Sequence, residues 1–288
     1  MEYCLEISDL TKRYNDFTLD KINLKLRQGS IMGFIGENGS GKTTTLKSIL
    51  KLIQKDAGVV NILGLDMSDA HNERKIKEQI GVVFDGCHFH ETLNAKAINT
   101  FMAKIQPNWN EKLYFHYIDA FHLPKDKSVK EYSRGMSMKL SIAAALSHQP
   151  KLLLLDEATS GLDPVVRNEI LDVFFEYIQD EEHSILMSSH ITSDLEKICD
   201  YISFIHKGKL IFSKEKNDVI ESHRIIKCGN SDYNDLDKTH MVGKRKNAFG
   251  YEVLVNDGQM KHHSYDQFTK DKATLEDIML FYSRGDQL

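Results

Sequence analysis

The segment Gly36-Glu37-Asn38-Gly39-Ser40-Gly41-Lys42-Thr43 fits the phosphate-binding pattern G-x-x-x-x-G-K-[ST] at every fixed position. No other feature constrains the fold as much, because the pattern requires a strand, a tight turn and a helix N-terminus in that order. Both flanks supply this context. Ser30–Ile35 reads as a buried strand, and Thr44–Ile53 as a helix with Leu46, Ile49, Leu50 and Ile53 on one face. Glycines in the turn permit positive φ and let backbone N–H groups wrap an anion. Lys42 offers a fixed positive charge for the β- and γ-phosphates, and Thr43 a hydroxyl for Mg²⁺. A nucleoside triphosphate is the expected ligand.

The other elements alternate in the same α/β manner. Tyr3, Leu5 and Ile7, then Leu19, Ile22, Leu24 and Leu26, predict short antiparallel strands within residues 2–27. Gly58–Gly64 and Ile80–Phe84 read as strands, with a charged helix over 72–79 before the second. Residues 92–148 look wholly helical, broken at Pro107 and Pro124, which predicts a separate helical subdomain. Strands return at 152–155, 184–187, 201–206 and 209–212, with helices over 164–178 and 191–199. From about residue 221 the chain is more polar. A strand–turn–strand is expected around 240–255 with Asp257-Gly258 as a further turn, and Thr274 caps a terminal helix to Tyr282.

Leu152–Leu155 run directly into Asp156-Glu157. A continuous aliphatic run predicts a buried parallel strand, whose C-terminal end is where ligands sit in doubly wound sheets. Asp156 is suited to hold Mg²⁺ through its water shell, and Glu157 to orient or deprotonate the attacking water. Thr159–Pro164 is a turn closed by Asp163 as helix N-cap and Pro164 at the first helical position. His190, after the strand Ser184–Met187, is placed to reach a γ-phosphate. Tyr132-Ser133-Arg134-Gly135-Met136 puts Ser133 and Gly135 at another helix N-terminus, a second anion site within the helical insertion. Two phosphate-binding turns in one chain point to a head-to-tail dimer.

In this order of parts the chain resembles the ATP-binding cassette (ABC) ATPases over residues 3 to about 220. Tyr14 matches the aromatic that stacks on adenine in that family. Gly36–Thr44, with Asn38, Ser40 and Thr44 among its ligands, matches the Walker A loop. Asp156 and Glu157 match the Walker B acid and the catalytic glutamate. Ser133 and Gly135 match the signature, Ser160–Asp163 the D-loop, and His190 the switch histidine. The resemblance implies an α/β fold: a P-loop NTPase of the ABC ATPase type with an antiparallel β subdomain, a helical insertion and a small C-terminal extension. It implies a cassette over 1–220, its helical subdomain at about 86–148, and an α+β extension over 221–288. ATP and Mg²⁺ are the implied cofactors. Two cassettes, identical or paralogous, would sandwich ATP and drive separate transmembrane permease subunits.

Four positions depart from the pattern, one of them the neutral Ala158 where a proline usually follows the catalytic glutamate. Arg134 replaces a signature glycine and Met136 its glutamine, while Asp85 stands where the Q-loop glutamine belongs. An ionised carboxylate can bind Mg²⁺ but cannot donate a hydrogen bond, so Asp85 joins Thr43 and Asp156 as a candidate metal ligand. Pro107–Asn110 and the ending Thr274–Tyr282 resemble single-cassette exporter ATPases of the bacitracin type and other peptide or antibiotic exporters, including phenol-soluble-modulin exporters. Gly86–Glu91, with Phe89 as apolar anchor, is expected to form part of the groove for a permease coupling helix.

A net charge of −5 gives no electrostatic case for a nucleic-acid partner. No stretch reaches the ~20 apolar residues that cross a bilayer, and Met1–Cys4 does not open a secretion signal. The resemblance implies a place on the cytoplasmic face of the membrane, held through permease subunits. Cys4, Cys87, Cys199 and Cys228 form no C-x-x-C pair and are expected as reduced thiols. His88 with His90, and His262 with His263, lack partners at metal-ligand spacing. The competing reading is a soluble ABC ATPase acting on ribosomes or DNA. It is weakened by the single cassette and by the absence of a long coiled coil before Ser133.

Overall fold

The computed structural model describes residues 2–256, 265 and 267–284. In chain order the elements are β1 (Tyr3–Arg13), β2 (Thr18–Arg27), β3 (Ile31–Ile35), α1 (Lys42–Ile49), β4 (Ala57–Ile62), β5 (Leu65–Asp66), α2 (Ala70–Lys77) and β6 (Ile80–Val83). The helical insertion follows: α3 (Ala95–Ile105), α4 (Glu111–Ala120), a 3₁₀ turn at Val129–Glu131 and α5 (Arg134–Leu146). Then come β7 (Leu152–Asp156), α6 (Pro164–Tyr177), β8 (Ser184–Ser189), α7 (Thr192–Ile198), β9 (Tyr201–His206), β10 (Lys209–Glu215) and α8 (Lys216–Ser222). The chain ends with β11 (His223–Cys228), β12 (Met241–Asn247), β13 (Gly250–Asn256), β14 (Thr269–Lys272) and α9 (Leu275–Arg284).

Three sheets result. The antiparallel one has the order β2-β1-β4-β5, and the central one β10-β9-β3-β8-β7-β6. In the central sheet β9, β3, β8, β7 and β6 are parallel, with β10 antiparallel at the edge. Strands β3, β7 and β8 are buried at every residue, as strands covered on both faces must be. Side-chain alternation divides their residues between two cores. Ile31, Ile35, Leu153, Leu155, Ile185 and Met187 face the helices of the insertion and α6. Met32, Phe34, Leu152, Leu154 and Leu186 face α1 and the antiparallel sheet, where Leu19, Ile22, Leu24 and Leu26 of β2 meet them. The alternating pattern of β2 is thus the inward face of a half-exposed strand.

The insertion is held by side-chain caps. Asn94 accepts from the Ala97 N–H, Asn110 from Leu113, and Ser128 with Glu131 makes a capping box. The breaks fall between α3 and α4 and after α4, around Pro107 and Pro124. Several expected boundaries move. Helix α1 begins at Lys42 and stops at Ile49 rather than Ile53, because Lys51 turns to a left-handed φ of 59°. Residues 2–27 form two long strands rather than several short ones.

The third sheet has the order β12-β13-β11-β14, so the expected hairpin at 240–255 is half of it. Its partner strands carry no local sequence signal. Strand β14 is Thr-Lys-Asp-Lys, with no apolar period, and β11 carries Ile225-Ile226 without alternation. This extension has a small core of its own around Tyr233, Val253 and Tyr265. Leu275, Ile278 and Phe281 of α9 instead join the main core with Leu195 and Ile202. The expected turn Asp257-Gly258 and His262–His263 lie outside the described residues.

Candidate functional site

The C-terminal ends of β3, β7, β8 and β6 lie side by side, so Gly36, Glu157, His190 and Asp85 are delivered to one edge of the sheet. After β3 the loop takes positive φ at Gly39 (80°) and Gly41 (115°). Gly41 is the N-cap of α1 and provides no side-chain cap, so the first N–H groups of that helix remain available to an anion. A Cβ at Gly41 would stand 3.0 Å from the Phe17 ring, a tight contact, and the φ of 115° would strain any side chain there. The Gly208 N–H donates to the Ser40 carbonyl at 2.9 Å and ties the loop to the β9–β10 turn. Ser40 Oγ is buried and unpartnered, while Asn38 and Gly39 are exposed. A buried hydroxyl without a protein partner, beside a helix N-terminus with no side-chain cap, suits a phosphate-binding cradle.

Lys42 is only 5% exposed, and its Nζ donates to the Gly36 carbonyl at 2.6 Å and the Glu37 carbonyl at 3.3 Å. The same ammonium lies 3.2 Å from Glu157 Oε1. That oxygen has no aligned donor, so the contact is electrostatic. Glu157 Oε2 is 2.7 Å from His190 Nδ1. One carboxylate is therefore held between an ammonium and an imidazole. Glu157 also has a left-handed φ of 55°, an uncommon conformation for a non-glycine residue, and its N–H donates to the carbonyl and hydroxyl of Ser188. A phosphate that draws Lys42 away would leave Glu157 with His190 alone, free to accept a proton from water.

Ser188 carries no local sequence signal of a site role, yet it sits between the two acids. Its hydroxyl donates to Asp156 Oδ1 at 2.6 Å while it also receives the Glu157 N–H at 3.2 Å, so one side chain orients both acids. The β7–β8 register sets this contact by pairing Asp156 with Ser188. Nor does Arg167 carry such a signal. Its Nη2 donates to the Leu162 carbonyl, and its Nε lies 3.8 Å from the fully buried Asp194 carboxylate, linking the turn before α6 to the helix after His190.

Asp163 caps α6, accepting from the N–H groups of Val165 and Val166. Ser133 caps α5 and accepts from the Met136 N–H, and a Cβ on Gly135 would stand 3.2 Å from Val166. Thr44 accepts the Ser48 hydroxyl at its carbonyl. Tyr14 stands half-exposed on the β1–β2 turn, its ring 6.4 Å from Phe17, and Phe17 rather than Tyr14 borders the glycine loop. Asp85 is ion-paired with Arg134 at 2.9 Å.

Thr43, Asp85 and Asp156 all line one cleft of about 790 Å³. Among the described residues no cluster of three or more His, Cys, Asp or Glu could hold a metal ion. A metal here would take most of its ligands from phosphate and water, as Mg²⁺ characteristically does, and the hard oxygens of Thr43 and Asp156 fit that role. The rest of the cleft is largely apolar, with Phe84, Phe89, Met102, Ala144 and Ala145. At its floor burial pushes the His148 imidazole below its ordinary pKa, partly opposed by a hydrogen bond to the Ile80 carbonyl.

Residues 19–160 match the family described as ABC transporter. The bacitracin transport ATP-binding protein BcrA of Bacillus licheniformis is 35% identical over 214 residues, covering 73% of this chain and 69% of that one. The lantibiotic transport ATP-binding protein SrtF of Streptococcus pyogenes is 34% identical over 220 residues, covering 73% and 90%. Among solved structures, one titled as the ATP binding subunit of an ABC transporter superposes with a TM-score of 0.68 at 25% identity, covering 76% of this chain and 92% of that one.

Proposed function

Because this chain belongs to the ABC transporter ATP-binding family, whose members hydrolyse ATP to drive transport, we propose that it powers export of a peptide, antibiotic or other amphipathic compound through separate membrane subunits. The observation that carries this reading is the continuous Lys42–Glu157–His190 network above a glycine loop whose helix N-terminus is uncapped. Gly36, Asn38, Gly39, Ser40, Gly41, Lys42, Thr43 and Thr44 would surround the triphosphate, and Thr43 and Asp156, with Asp85 beside them, would hold Mg²⁺. When bound, the metal would neutralise charge on the phosphates. Glu157 would take the proton of the attacking water, with His190 as the polar contact to the γ-phosphate.

Ser133, Gly135 and Asp163 would face the nucleotide of a second cassette in a head-to-tail pair, and Tyr14 would lie along the adenine. The apolar cleft beside Phe84 and Phe89 suits an amphipathic helix of a permease. Among the described residues no helix is long and apolar enough to cross a membrane, so the link to cargo would run through such a partner. The relatives named for bacitracin and lantibiotic transport support the class of cargo. We further propose that residues 1–220 act as the cassette and 221–288 as an appended α+β unit.

The test is nucleotide binding by the full chain and by Lys42→Ala. The wild type should bind ATP and the variant should not, and tight binding by the variant would refute the phosphate assignment. Copurification with a polytopic membrane protein supports the export reading, whereas copurification with ribosomes or DNA would replace it.

A further inference from the structure

Two of the departures from the family pattern, Asp85 and Arg134, meet each other. They lie 49 residues apart, and the structure joins them by an ion pair of 2.9 Å between Asp85 Oδ1 and Arg134 Nη2. Arg134 is the first residue of α5, whose first turn carries no acidic side chain. A cation there sits at the positive end of the helix dipole and needs an anion from elsewhere. Asp85 provides it. The guanidinium also lies against Gly161, where a Cβ would stand 3.0 Å from Arg134 Cζ and Nη1. Arg134 thus touches both the segment after β6 and the turn that follows Glu157.

Asp85 in turn borders the same cleft as Thr43 and Asp156. Its carboxylate has two cations to choose between, a metal at that cleft and Arg134. Arg134 likewise has two anions to choose between, Asp85 and a phosphate presented to the N-terminus of α5. Both side chains are more than half exposed, so their pair is weak enough to be exchanged.

We propose that Arg134 is a positioning residue that holds Asp85 away from the metal, so that metal binding at Thr43 and Asp156 releases Arg134 toward a partner-bound nucleotide. The proposal rests on the metal and phosphate assignment above. It gives the two substitutions a joint role: an arginine in the signature turn and an aspartate in the Q-loop position form one exchangeable pair.

The test measures metal uptake without hydrolysis. Mn²⁺ binding to the full chain is followed by electron paramagnetic resonance with a non-hydrolysable ATP analogue, at protein concentrations where the chain is monomeric. Arg134→Ala should lower the half-saturating Mn²⁺ concentration by up to about fivefold, the range of an exposed ion pair. Arg134→Lys should shift it less, and Asp85→Ala should raise it. In an Asp85→Ala background the Arg134→Ala change should become silent, since the coupling requires both partners. Equal half-saturation for Arg134→Ala and wild type would overturn the proposal, as would a shift that persists without Asp85. A wild type that takes up no more Mn²⁺–nucleotide than Lys42→Ala would overturn the site reading itself, and the exchange with it.

Discussion

Ser188→Ala removes a single oxygen from the centre of the site, and its cost can be worked from the structure. Ser188 is fully buried, and its hydroxyl donates to Asp156 Oδ1 at 2.6 Å. Hydrogen bonds to charged groups contribute about 1.5–3 kcal/mol, and removing the donor leaves a buried carboxylate oxygen short of a partner. The other contact of this hydroxyl adds little, because the Glu157 N–H also donates to the Ser188 carbonyl at 3.1 Å. The expected loss is therefore about 1.5–3 kcal/mol, or roughly 3–12 °C in Tm at about 2–4 °C per kcal/mol for a chain of this size class. Ser203→Ala is the matched control. Its hydroxyl is equally buried on the same sheet but meets only neutral groups, Ser213 Oγ at 2.7 Å and Met32 Sδ at 3.2 Å, so about 0.5–1.5 kcal/mol is expected. Thermal unfolding followed by circular dichroism compares the two. Equal shifts for Ser188→Ala and Ser203→Ala would refute the charge-assisted reading and the role of Ser188 in orienting Asp156.

Acid should destabilise the fold through its buried histidines. Burial lowers the pKa of His148 and His223, so the unfolded chain takes up protons first as pH falls below about 6.5, and stability drops from there downward. His148→Gln should flatten the fall of Tm between about pH 6.5 and 5, and an unchanged slope would show that His148 contributes nothing to it. Phe281→Ala, in the core that α9 shares with the cassette, should cost about 3–5 kcal/mol and lower one common unfolding transition. A calorimetric trace in which only a separate C-terminal transition moves would contradict the shared core.

Much of the fold was legible because short motifs carried their own context. The glycine loop sits between a five-residue buried strand and a helix, and Leu152–Leu155 is too uniformly apolar for anything but a strand covered on both faces. The family resemblance and the α/β class inferred from them agree with the matched family and superposed cassettes. What stayed hidden was set by tertiary register. Nothing local marks Ser188 as the donor to Asp156, since a serine near a strand end is common and only the β7–β8 pairing aligns the two. The Asp85–Arg134 contact depends on bringing β6 and α5 together. In the extension, β14 has four polar residues and no period, so only its pairing with β11 reveals it as a strand. The apolar side of α9 is buried against the cassette, a packing that its sequence as a terminal helix does not specify.

The carboxylate gripped by Lys42 and His190 is the group expected to activate water. Steady-state phosphate release by Glu157→Gln, measured with ATP binding on the same preparation, tests this role most directly. Binding should be unimpaired and turnover reduced by about 10²–10⁴-fold, the usual contribution of a general base. Release of phosphate at the wild-type rate would contradict that role.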